Sequence, residues 1–185
     1  MTTETTGPTA VATWAIDPVH SVAEFGVKHM MISTVKGRFG TLSGSLQFDG
    51  RDLTTASVEA TIDVASITTN EPQRDAHLRS PDFFHADEYP TLTFRSTGVE
   101  HVAEDEYRVR GDLTIRGTTR PVTLDVTYAG QITDPSGVQR AGFSAATTIN
   151  RKDYGLNWNA LLETGGAAVS DKVNVSLHIA ATRNT

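Results

Sequence analysis

A chain of 185 residues without cysteine fits one domain, and it excludes a disulfide framework, an iron–sulfur cluster and any thiolate nucleophile or metal ligand. Its formal net charge of −6 argues against electrostatic binding to nucleic acid or to an anionic membrane surface. No apolar run approaches the roughly 20 residues that span a bilayer, so no stable membrane insertion is expected.

Residues 1–10 are rich in Thr, lack hydrophobic periodicity and read as a disordered tail ahead of a single domain over 11–185. They carry no basic stretch followed by an apolar one, so the expected location is cytoplasmic. From Val11 onward the dominant period is two. Ala23, Phe25 and Val27 alternate with polar or small neighbours, as do Leu42, Gly44, Leu46 and Phe48, and then Val58, Ala60, Ile62 and Val64. Successive strand side chains face opposite sides, so each segment buries one face and wets the other, the signature of antiparallel sheet.

Asn70 to Arg79 breaks the rhythm and reads as a short helix, with Asn70 as N-cap, Pro72 in the first turn and Pro81 as the stop. The period of two returns in Leu92/Phe94, Tyr107/Val109/Leu113/Ile115, Val122/Leu124/Val126/Tyr128 and Val173/Val175/Leu177/Ile179. Asp49-Gly50, Ala103 to Glu106, Gly117 to Thr119 and Asp134 to Gly137 supply the turns between these runs. Asn150 to Ser170 is too long for a hairpin loop and reads as a functional or lid-like segment. About eight long strands sharing one apolar face close best into a barrel, which abolishes exposed edges; a two-sheet sandwich is the competing solution. The inward set includes small residues, Ala23, Gly44, Ala60 and Gly111. These either leave a cavity or relieve crowding.

Chemistry-bearing motifs are sparse. The six histidines (His20, His29, His77, His85, His101 and His178) fall in no metal-ligand spacing. They read as local hydrogen-bonding groups, with a metal- or haem-binding barrel as the alternative. There is no nucleophile elbow, P-loop or dinucleotide fingerprint, so no catalytic residue is assigned. A small-molecule enzyme acting at the barrel mouth through His77 and Asp75 is the remaining catalytic alternative. The polar cluster that stands out is Arg74, Asp75, His77, Arg79 and Asp82 beside Phe83-Phe84. It suits a lid whose basic groups meet a polar head while the aromatics line the entrance, with Arg151 and Lys152 as a second such group.

Several motifs then occur in order: Asp17-Pro-Val-His20-Ser21, Phe25-Gly-Val27-Lys-His29, Val35-Lys-Gly37-Arg-Phe39, Arg74-Asp75-Ala-His77-Leu78-Arg-Ser80-Pro-Asp82-Phe83-Phe84, Tyr89-Pro90, Gly111-Asp-Leu113-Thr114-Ile115-Arg-Gly117 and Arg151-Lys-Asp153-Tyr154-Gly155. Together they resemble the YceI-like family from Trp14 to the C-terminus. The resemblance implies an all-β, antiparallel eight-stranded lipocalin-like barrel with one or two short helices. It also implies a non-catalytic carrier of a polyisoprenoid, a prenyl pyrophosphate or isoprenoid quinone, held in the lumen without other cofactor. Many relatives are exported to the periplasm, and relatives suggest a homodimer. The expected lining is Phe25, Val27, Phe39, Leu46, Phe48, Ile62, Phe83, Phe84, Phe94, Val109, Leu113, Leu124, Val126, Phe143 and Trp158. Arg74, His77 and Arg151 are the expected head-group contacts.

Overall fold

In a computed structural model, residues 11–163 and 165–184 are described. The tail expected over residues 1–10 lies outside them. The elements in chain order are β1 (Ala12–Ile16), β2 (Val22–His29), β3 (Ser33–Phe39), β4 (Leu42–Phe48), β5 (Ser57–Asp63), β6 (Ile67–Thr68), the helix α1 (Pro72–Arg79), β7 (Thr91–Ala103), β8 (Glu106–Ile115), β9 (Thr118–Thr133), β10 (Gln139–Asn150) and β11 (Val169–Arg183).

These eleven strand segments make an eight-staved antiparallel barrel. One edge of β11 pairs with β10, and the other is shared end to end by β1 (Ile16 opposite Ala181) and β2 (Phe25 opposite Val175). β4 and β3 pair in turn with β1 and β2, and β5 and β6 with β4 and β3. The first three staves are therefore kinked pairs, β1/β2, β3/β4 and β5/β6, and β7 to β11 are single strands. Each stave lies beside its neighbour in sequence, and the β1–β11 pairing closes the ring. Closure leaves no long edge to template aggregation.

The kinks are stitched by short polar side chains. Between β1 and β2, buried Ser21 donates through Oγ to the Ala180 carbonyl and accepts from the Ala180 N–H at 2.9 Å, while the Asp17 N–H reaches the same carbonyl. Between β5 and β6, Asp63 caps a 3-10 turn at Val64–Ser66 by accepting from the Ala65 N–H. Such caps satisfy backbone groups that the broken ladder frees.

The helix starts one residue later than the sequence reading placed it. Glu71, rather than Asn70, is the N-cap, and its carboxylate accepts from the Gln73 and Arg74 N–H groups. Pro72 explains the shift: the residue before a proline is pushed to extended backbone, which is the N-cap conformation. Asn70 instead takes a left-handed conformation at φ 62°. The β8–β9 turn is also tighter than Gly117 to Thr119. Arg116 and Gly117 alone, both with positive φ, join the strands, as a two-residue primed hairpin requires.

The barrel's two ends differ. At one, the β4–β5, β7–β8 and β9–β10 connections surround a core of Trp14, Phe48, Leu53, Leu46, Ala141 and Ala181. At the other, α1 with the segment to Thr91, and the 151–168 loop, fold over the opening and pack Phe83, Tyr154 and Leu156 against Phe39, Ile67, Leu92 and Ile115. The first is called the closed end and the second the lidded end.

Candidate ligand cavity

Between the two cores the lumen encloses a cavity of about 490 Å³. Its wall is the inward face of the period-two strands: Val109 and Leu113 on β8, Leu124 and Val126 on β9, and Val173, Val175, Leu177 and Ile179 on β11. Aliphatic side chains on a β-barrel wall have no hydrogen-bonding groups to offer, so the cavity favours an apolar occupant over water.

Every residue expected to line the lumen does so, Phe48 excepted. Phe48 ends β4 at the closed end, where its ring stacks on Trp14 with centroids 5.1 Å apart. Both are about 1% exposed, so they form a floor under the cavity and not its wall. Of the small inward residues, Ala23 and Ala60 line the cavity, whereas Gly44 lies against the Glu59 backbone and Gly111 against Phe94. A side-chain carbon added at Gly111 would collide with the Phe94 ring, and one at Gly37 with the Phe25 ring. Each glycine seats an aromatic ring flat on the strand.

The lidded end is an aromatic cluster. His77 meets Phe83 and Trp158 edge to face, with centroids 5.0 and 4.7 Å away, and Phe84 meets Phe39 in the same way at 5.7 Å. Arg116, in the β8–β9 turn, donates to the Phe83 carbonyl at 2.9 Å and ties this cluster to the barrel rim.

The structure brings all three expected head-group residues to the cavity, in different roles. His77 holds Asp82 through Nε2 at 2.8 Å. Arg74 donates through Nε to Thr69 Oγ1 and through a terminal nitrogen to the Thr69 carbonyl. Arg151 departs from the expected role. It is 5% exposed, and its guanidinium donates to the carbonyls of Leu156, Trp158, Val169 and Ser170, while Asp171 stands 3.9 Å off. The carbonyls of Leu156 and Trp158 belong to the irregular loop and those of Val169 and Ser170 to the start of β11, so Arg151 clamps the loop to the strand with four of its five donors. Burial lowers the guanidinium pKa, and Asp171 partly opposes that. Beside it, burial pushes the Tyr154 phenol up to about 12.

Asp75, the other half of the catalytic alternative, is also occupied. It is buried and accepts from both the N–H (2.8 Å) and the hydroxyl (2.5 Å) of Thr69, and it does not contact His77 through a hydrogen bond. Among the described residues no group of three or more His, Asp or Glu side chains is placed to hold a metal ion.

Parts of the site escaped the sequence reading for different reasons. The β11 set was visible as a period of two and was not carried into the lining. Tyr154 and Leu156 sit in and after a 3-10 turn, where no periodicity marks the inward face. Trp14 lies on a five-residue strand too short for the alternation to register.

The sequence matches the YceI-like domain family over residues 14–181. A UPF0312 protein of Staphylococcus aureus strain N315 is 41% identical over 161 residues, 86% of this chain and 91% of its own. The crystal structure of Burkholderia cenocepacia BcnA superposes with a TM-score of 0.78 at 27% identity, covering 89% of this chain and 98% of that one. A polyisoprenoid binding domain from Saccharophagus degradans, implicated in plant cell wall breakdown, shares the fold with a TM-score of 0.70 at 16% identity, over 94% and 99% of the two chains.

Proposed function

Since the chain belongs to the YceI-like family, we propose that it is a non-catalytic carrier that holds one polyisoprenoid chain in its barrel lumen. The observation that carries this reading is the cavity of about 490 Å³, walled by aliphatic and aromatic side chains and closed below by Trp14 and Phe48. Its size falls within the roughly 300–1,000 Å³ of small-molecule sites. An isoprene unit adds five carbons, and each buried methylene contributes about 0.8 kcal/mol. Several units therefore supply ample gross affinity before the cost of ordering the chain is subtracted. A solved domain of the same fold being a polyisoprenoid binding domain agrees with this choice of cargo.

The polar end of the cargo sits at the lidded end. There Arg74 and His77 line the cavity, held by Thr69 and Asp82, and Arg151 shapes the loop around them. A diphosphate or quinone head would meet these groups while its tail runs toward Phe94.

Native mass spectrometry of the protein with a twenty-carbon prenyl diphosphate tests the reading. One adduct per chain is expected, and Phe94→Asp, which places a carboxylate in the wall, should abolish it while the circular-dichroism spectrum stays that of a β-barrel. An unliganded mass that persists at saturating lipid would sink the proposal. So would an adduct that survives in a folded Phe94→Asp protein.

A further inference from the structure

The lidded end carries a patch that the cavity does not use. The β2–β3 hairpin turns through Met30, Met31 and Ile32, with both methionines in left-handed conformation. Ile32 is 87% exposed and Met31 65%. Alongside, Leu161 is 92% exposed on a bridge to Ala167. The two tips are joined, because the Met30 N–H donates to the Ala168 carbonyl at 2.8 Å and the Ala168 N–H to the Ala160 carbonyl at 2.9 Å. Two neighbouring loops thus hold large apolar side chains out into solvent at the rim. The other exposed large aliphatics, Val11, Val19, Val102 and Ile132, stand on separate segments.

Lysines concentrate near these tips, alongside the carboxylates Asp153, Glu163 and Asp171. All four lysines of the chain, Lys28, Lys36, Lys152 and Lys172, lie on β2, β3, β11 and the turn that begins the lid loop. Lys152 pairs with Asp171 at 3.3 Å. Among the described residues no carboxylate lies within 4.0 Å of the ammonium groups of Lys28, Lys36 or Lys172. Lys28 reaches only the Thr34 hydroxyl, at 3.1 Å. Apolar tips flanked by lysines on long stems match a bilayer interface, where the tips enter the acyl boundary and the ammonium groups stay at the level of anionic headgroups.

We infer that the barrel docks, lidded end down, on an anionic lipid surface, with Met31, Ile32 and Leu161 inserted and Lys28, Lys36 and Lys172 on the headgroups. The inference extends the carrier reading to where the cargo is exchanged, and it uses residues separate from the lumen wall except for Lys28 at the rim.

Flotation of the full chain on vesicles of phosphatidylglycerol and phosphatidylcholine, free of prenyl lipid, tests it. The protein should float with the anionic vesicles, fall away as salt rises, and ignore pure phosphatidylcholine. Ile32→Asp with Leu161→Asp should abolish flotation at an unchanged melting temperature. Lys36→Gln and Lys172→Gln should each weaken it about fivefold. Wild-type protein that does not float, or a double-Asp protein that floats as well as wild type, overturns the inference. Absence of flotation with a dimer that the double-Asp change converts to monomer overturns it as well, and assigns the patch to a second copy of the chain. Titration with prenyl diphosphate in the absence of vesicles separates the two readings. Flotation without cargo binding defeats the carrier alone, and cargo binding without flotation defeats the docking alone.

Discussion

The two ends of this barrel come from the same alternating sequence pattern and reach opposite states. At the closed end the strands run into tight connections, and the space between them is filled by a Trp14–Phe48 stack with Leu53 beneath. At the lidded end the strand residues Phe39, Ile67, Leu92 and Ile115 are covered by residues from outside the strands, Phe83, Tyr154 and Leu156. Two long segments, from Thr69 through Pro90 and from Arg151 through Ala168, fold across the opening. Filling an end with strand residues needs only hydrophobic burial. Covering it with loop needs a partner for each polar backbone group the loop brings inside, which is the work of Arg151, Asp75 and Arg116. An end built the first way is fixed. One built the second way rests on a few hydrogen bonds, and local opening there costs less than unfolding the barrel.

The largest effect that would break this contrast is at the floor. Trp14→Ala removes a side chain about 99% buried, with a stacked neighbour left beside the void, and should cost about 3–5 kcal/mol. Trp158→Ala at the lid removes a half-buried ring and should cost less than about 2 kcal/mol. Urea unfolding midpoints of the two variants test this. Equal costs would mean that the lid is as integral to the fold as the floor.

Next in size is the clamp. Arg151→Met keeps the apolar stem but leaves the carbonyls of Leu156, Trp158, Val169 and Ser170 without their shared donor. Removing a buried charge that is hydrogen-bonded on all sides should cost about 3 kcal/mol, borne by the loop. Hydrogen exchange should show the Gly155 and Leu156 amides losing protection while those of β8 to β10 keep theirs. Uniform loss across the barrel would place Arg151 in the global core instead.

The same contrast explains what was legible in the sequence. A strand's inward face is written in its alternation, so Phe25, Phe94, Val109 and Val126 were readable as lining without any structure. Phe48 obeys the same alternation, yet its fate depends on which residue caps the stave, and that is set by the distant pairing of β1 with β4. Arg151 was readable as a cation near a loop. Its partners are carbonyls, which every residue has, so sequence carries no mark of them. The kinks that make three staves out of six strands were hidden because Ser21 and Asp63 look like any turn residue. Net charge averages over the surface, whereas the placement of the four lysines shows only once β2, β3 and β11 are side by side.

The smallest effect separates the ends by pH. At the closed end, Asp134 accepts from Ser136 and Arg140, and Asp17 accepts from His20; these contacts hold both carboxyls below their usual range. A carboxylate whose folded pKa is depressed adds stability above its unfolded value, near 3.8, and that stability is lost as pH falls through the folded pKa. At the lidded end Tyr154 works in the opposite sense. Its phenol is raised from 10.0 to about 12 by burial, so the neutral form stabilises the fold below pH 10 and that contribution fades as pH climbs toward 12. Tyr128, nearer the closed end, shifts in the same direction, so a variant is needed to isolate the lid. Tyr154→Phe should flatten the alkaline limb of the melting temperature and leave the acid limb unchanged, and Asp134→Asn should do the reverse. If either substitution moved both limbs together, the two ends would unfold as one unit and the proposed independence of lid and floor would fail.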